Sequence, residues 1–128
     1  VLFLDHRQLL TFGYIKKVPL IAEYEKKRMM DEAMADNGEY FEAFIDDMIN
    51  QRFSLIVSEM LSVKWQGDTY HFGNENDAWV LWVSIPILCY YEPVDTFSDV
   101  GLQLLKPRTT VLNDKNIICP EPGEPYPP

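Results

Sequence analysis

The chain has 128 residues, 47% apolar and 13% aromatic, which is one domain's worth of sequence with enough apolar side chain for a core. Eleven Lys+Arg stand against 20 Asp+Glu, a formal net charge of -9. An acidic surface repels phosphate backbones and anionic headgroups, which argues against nucleic-acid recognition and against charge-driven attachment to a membrane surface.

The chain opens on Val1-Leu2-Phe3-Leu4 with no initiator Met, followed at once by Asp5-His6-Arg7. We therefore expect a buried strand over residues 1–5 and a segment cut from something longer. Val18-Pro19-Leu20-Ile21 reads as a brief extended stretch, because Pro biases the residue before it away from helix. From Ala22 the period changes: Met29, Met30, Ala33 and Met34 recur at helical spacing. Asp36-Asn37-Gly38 breaks that helix, and a second one follows over residues 39–50. Its apolar face carries Tyr40, Phe41, Phe44, Ile45 and Met48, and Glu39, Glu42, Asp46 and Asp47 form a solvated face.

Residues 53–57 read as a strand ending at Ser58-Glu59, and residues 60–74 as a long, partly extended excursion. Asn74 or Asn76 caps a helix on which Trp79, Val80 and Val83 share a face, and Pro86 closes it. The longest apolar run, residues 78–88, is interrupted by Ser84 and Pro86 and falls short of the roughly 20 residues a spanning helix needs. We expect a strand over 87–91, a turn over 95–99 and a last strand over 100–105, the two strands pairing as an antiparallel hairpin at a sheet edge. Five of the nine prolines follow Cys119, a composition that stays extended. The expected fold class is α/β: a small three-layer Rossmann-like sheet, mostly parallel, with a C-terminal antiparallel hairpin. The domain covers residues 1–108, and residues 109–128 form a Pro-rich extended tail.

Ligands of open parallel sheets sit beyond the carboxyl ends of the strands. Two polar clusters fall there, Asp5-His6-Arg7 and Ser58-Glu59. If their strands are neighbours, Asp5, His6, Ser58 and Glu59 are the ligand-binding candidates. A His beside carboxylates suits a general base or a metal ligand, and the competing reading is that these residues cap and terminate strands. His71 has no second close ligand in sequence, so no metal is expected. No Gly-rich phosphate turn and no nucleophile elbow is present, so no cofactor is expected. Trp65, Trp79, Trp82, Tyr70, Tyr90 and Tyr91 make the second half aromatic-rich, as core packing or as a surface for carbohydrate. Cys89 and Cys119 match no zinc or redox spacing. They are either a buried strand thiol and a loop thiol or, in an exported domain, a disulfide tying the tail to the sheet.

Four stretches carry a resemblance: Leu9-Leu10-Thr11-Phe12-Gly13, Val18-Pro19-Leu20-Ile21-Ala22-Glu23-Tyr24-Glu25-Lys26-Lys27, Arg52-Phe53-Ser54-Leu55-Ile56-Val57-Ser58-Glu59 and Leu88-Cys89-Tyr90-Tyr91-Glu92-Pro93. Over residues 1–108 the chain resembles the soluble C-terminal part of large multi-spanning membrane proteins of Chloroflexi-type bacteria. Those proteins look like membrane glycosyltransferases of the dolichyl-phosphate-mannose and arabinosyl-transferase kind. The resemblance implies a parent transmembrane bundle as partner, an extracytoplasmic location and a polyprenyl-phosphate sugar donor. Its catalytic acid would lie in the bundle, so no catalytic residue carries over. The expected role is a non-catalytic accessory domain that covers the active site or contacts a carbohydrate acceptor. The alternative is a stand-alone binding or assembly module using the aromatic half. A small hydrolase or transferase built on Asp5, His6 and Glu59 is the third reading.

Overall fold

The computed structural model describes residues 1–4, 21, 24–67, 72–109 and 119–120. Among them, strand β1 (Leu2–Phe3) is followed by helices α1 (Lys26–Met34) and α2 (Gly38–Ile49) and by strand β2 (Ile56–Glu59). A helical stretch then runs unbroken through α3 (Gly73–Trp79), a π-helical turn (Val80–Ser84) and α4 (Ile85–Tyr90). Strands β3 (Tyr91–Phe97) and β4 (Leu102–Pro107) close the fold. The sheet order is β1-β2-β4-β3.

The fold is α/β with a mixed sheet. Only β1 and β2 run parallel, in the register Leu2↔Ile56 and Phe3↔Val57, so the expectation of a mostly parallel sheet is corrected. β2–β4 and β3–β4 are antiparallel, which bears out the terminal hairpin while moving its first strand. Leu2, Leu4, Ile56 and Leu105 join Met29, Phe41, Phe44, Met48, Val83 and Ile87 in one buried cluster under the helices. Alternation places Phe3 and Val57 on the opposite face. They are only 7% and 5% exposed, so the β1–β2 pair is covered on both sides.

Each helix has a local cause. Glu25 caps α1, its carboxylate accepting from the backbone N–H of Lys27 and Arg28, so this helix begins four residues later than expected. Asn37 caps α2 by accepting from Tyr40 N–H, and Phe41, Phe44 and Met48 form its buried stripe. α3 starts at Gly73 after Phe72, which takes a left-handed φ of 59°. Asn74 and Asn76 therefore both lie inside the helix, and neither caps it. α1 packs on α3, and α2 on α4.

Three further expectations are corrected. Residues 87–90 are helix, not strand. Pro86, Ile87, Leu88 and Cys89 are all buried, so no polar side chain marks a period, and an apolar run of that length reads equally as strand or buried helix. Pro86 does not close the helix either. It has no N–H to give the carbonyl four residues back, and the widened turn before it accommodates that loss, with Ile85 N–H reaching Val80 O. The expected turn over 95–99 is largely strand. β3 runs to Phe97 and the reversal falls at residues 98–101, where Gly101 supplies a φ of 66°. Pro93 is tolerated because β3 is the edge strand, and the register shifts between Pro93 and Asp95.

The ends of α2, α4 and β4 are tied together. Gln51 Nε2 donates to Tyr90 O at 3.1 Å and Arg108 O at 2.9 Å. Arg108 N–H donates to Tyr90 O, and its Nε to Leu88 O at 3.1 Å. Cys89 and Cys119 form a disulfide, so the cysteine of the tail is bound to a helix rather than to a strand. Tyr91 is fully buried, its hydroxyl donating to Phe53 O at 2.7 Å and accepting from Phe53 N–H at 3.1 Å. Burial pushes that hydroxyl above its ordinary pKa of 10.0; the Phe53 N–H works against the shift and Asp47 adds to it.

Candidate functional site

β1 and β2 are neighbours and parallel, so their carboxyl ends lie on one side of the sheet. Asp5 and His6 fall outside the described residues. Ser58 and Glu59 end β2, Ser58 buried at 1% exposure and Glu59 in solvent. The two line a half-open cavity of about 150 Å³ together with Lys26, Trp79 and Ser84.

Five pieces of chain build it. Lys26, the first residue of α1, sets its Nζ 3.2 Å from Glu59 Oε1 and 6.0 Å from the centre of the Trp79 ring. Trp79 ends α3, and Ser84 ends the π-helical turn. The segment after β2 forms the remaining wall and is anchored twice. Leu61 N–H donates to Gln103 Oε1 at 3.1 Å, and Asn76 Nδ2 donates to Lys64 O at 2.9 Å.

Asp77 holds the far end of that segment, accepting from Gln66 N–H at 2.8 Å and Gly67 N–H at 2.9 Å. Burial raises its pKa, but the N–H of Gln66, the amide of Asn76 and the N–H of Gly67 together outweigh this and leave it below 3.8. A fixed carboxylate thus locks the loop that walls the cavity.

Ser84 is 1% exposed and its Oγ has no hydrogen-bond partner. A helical serine commonly returns its hydroxyl to the carbonyl four residues back. Here that carbonyl belongs to Val80, which accepts from Ile85 N–H in the π register and not from Ser84 Oγ. Ser58, Ser62, Ser84 and Asn76 line the cavity beside the Trp79 indole and the Lys26–Glu59 ion pair, and of the three serines Ser62 is the exposed one while Ser58 and Ser84 are buried.

The sequence pointed to Ser58 and Glu59 and missed Lys26, Trp79 and Ser84 as partners. Ser84 carried a signal, being the lone polar residue in an otherwise apolar stretch before Pro86. Tyr70 and His71 fall outside the described residues, and of the other aromatics in this half Trp79, Trp82 and Tyr90 pack against the core. Tyr91 is core, Trp82 stacks on Phe41 at 5.1 Å between ring centres, and Trp65 stays exposed. A second, wider cavity of about 490 Å³ lies across the Met60-Leu61 wall, between Gln103 and the Glu92–Arg108 pair, whose charges are 3.7 Å apart. Among the described residues no cluster of His, Cys, Asp and Glu has the form of a metal site, and no helix is long and apolar enough to cross a membrane. Comparison with protein-family models, with curated proteins and with solved structures finds no match.

Proposed function

We propose that this chain is a non-catalytic accessory domain on the extracytoplasmic side of a bacterial membrane protein similar to the polyprenyl-phosphate-sugar-dependent glycosyltransferases, and that it contacts the carbohydrate acceptor. The observation that carries this reading is the cavity at the carboxyl end of β2, lined by Glu59, Ser62, Asn76 and Trp79. An exposed serine hydroxyl, which both donates and accepts, and a carboxylate beside a flat apolar face suit a sugar. The Cys89–Cys119 disulfide fits an oxidising compartment. Burial of Phe3 and Val57 on the face away from the cluster supports a three-layer, Rossmann-like arrangement around the parallel pair. The partner in this reading is a transmembrane bundle that holds the catalytic acid and the lipid-linked donor.

Chemical-shift mapping against a panel of sugars and short polyprenyl-phosphate analogues tests the proposal. Saturable shifts confined to Ser58, Glu59, Trp79 and their neighbours are expected with sugars. A flat response across the panel would refute acceptor contact.

A further inference from the structure

We infer that the wider cavity is a binding site for a free α-amino acid with an aliphatic side chain. The inference does not rest on the acceptor-contacting reading, because it concerns the other side of the Met60-Leu61 wall. At about 490 Å³ this cavity falls in the range of ~300–1,000 Å³ typical of small-molecule sites. Its apolar surface comes from Met60, Leu61 and Pro93, and it also carries two opposite charges, Glu92 and Arg108. Both charges are within reach of a ligand, the Glu92 side chain being 46% exposed and that of Arg108 25%. Met60 and Thr96 are exposed as well, and Leu61 and Pro93 are half-buried.

The two charges select the ligand. Arg108 is positioned by backbone carbonyls, its Nε donating to Leu88 O at 3.1 Å and its N–H to Tyr90 O at 2.9 Å. Its Nη1 lies 3.7 Å from Glu92 Oε2, beyond hydrogen-bond length and looser than the Lys26–Glu59 pair at 3.2 Å. A lone anion entering here is repelled by Glu92, and a lone cation by Arg108. A zwitterion sets its carboxylate on the guanidinium and its ammonium on the carboxylate, and both contacts are charge-assisted. Opposite charges on one carbon are what an α-amino acid carries. Its side chain then lies on Met60, Leu61 and Pro93, of which the thioether adapts to different aliphatic shapes. Leu61 is fixed over the sheet by its N–H, which donates to Gln103 Oε1, so this wall is in place before a ligand arrives. A cavity of roughly 150 Å³ closes around one benzene ring. The larger volume here takes an aliphatic side chain together with the backbone that bears it.

Titration of the wild-type chain with leucine, glycine, leucinamide and N-acetylleucine tests this, read as chemical-shift changes at Leu61, Glu92, Thr96 and Gln103. Leucine is expected to shift these amides saturably. Glycine should bind about tenfold more weakly, as partial burial of a leucine side chain implies. Leucinamide lacks the carboxylate and N-acetylleucine the ammonium, so each should also lose about tenfold, the effect of one charged hydrogen bond. Glu92→Gln keeps the size of the side chain and should melt with the wild type. It should bind leucine about tenfold more weakly and N-acetylleucine no more weakly than the wild type does. Leucine that shifts nothing, or shifts another surface, would overturn the inference. N-acetylleucine binding as tightly as leucine would make this a site for plain acids or peptide C-termini. Leucinamide binding as tightly would make it one for peptide N-termini, and either result overturns the amino-acid assignment. Wild-type affinity for leucine in Glu92→Gln does so too. The response to sugars at the smaller cavity is independent of all these outcomes.

Discussion

Replacing Tyr91 with Phe removes one oxygen from the least accessible part of the fold. That oxygen bonds both the N–H and the C=O of Phe53, at 3.1 and 2.7 Å. Phe53 is itself 4% exposed, so water cannot take over without opening the core. A buried backbone group left unpaired costs about 1–3 kcal/mol. With two such groups and a small gain from the more apolar ring, the expected loss is about 2–4 kcal/mol, a large part of the ~5–15 kcal/mol that holds a typical domain. Urea denaturation followed by fluorescence should show the midpoint falling by about 1–2 M at an unchanged slope. The alkaline limb gives a second reading. Tyr91 has a raised pKa in the folded chain, so its contribution is fully present below pH about 10 and is lost as pH rises through the folded value. Tyr91→Phe should lack that part of the alkaline decline. A variant within about 0.5 kcal/mol of wild type, with the decline intact, would refute the reasoning.

Reduction of the disulfide, or Cys119→Ser, should destabilise the chain by about 3–4 kcal/mol, the entropic cost of reopening a closure of 30 residues; non-reducing mass spectrometry and melting with and without reductant check it. Asp77→Ala should loosen the loop around Gln66 and Gly67, read as faster hydrogen exchange at those amides. Because the folded pKa of Asp77 is depressed, its contribution is present above pH about 4 and is lost as pH falls through the folded value. The variant should therefore show a shallower acid limb, and an unchanged one would discount the carboxylate's role. Gln51→Ala should cost about 1–2 kcal/mol through its two lost hydrogen bonds. Gln51→Gly should be more stable than Gln51→Ala by about 1 kcal/mol, since position 51 holds a φ of 49°, and chemical denaturation of the pair decides it.

What could be read beforehand follows from how each segment is exposed. α2 is legible because Phe41, Phe44 and Met48 recur on one face while Glu42 and Asp46 stay in water, so the helical period is written in polarity. α4 is not legible, because Ile87, Leu88 and Cys89 are buried together and polarity no longer alternates. β3 was hidden for the opposite reason. As an edge strand it carries Glu92, Pro93, Asp95 and Thr96, which resemble a turn. Ser58 and Glu59 stood out because a strand ends there. Lys26 and Trp79 reach the cavity only because α1 packs on α3, a tertiary fact that no local spacing encodes. The cysteine pairing depended on where helix α4 lies, and the sequence left it open.

The arrangement of the sheet also sets the order in which it can be assembled. Phe97 and Leu102 meet across a tight reversal, so the β3–β4 hairpin closes on the microsecond scale typical of hairpins. Leu2 must instead find Ile56 across the whole of α1 and α2, a non-local pairing that costs far more loop entropy. The residues of β1 are thus expected to be the last of the sheet to dock, although they precede its other strands in the chain. Until they do, β2 presents an open, apolar edge next to an already formed β4, and Ile56 and Val57 are the residues through which an immature chain would pair with a second copy of itself.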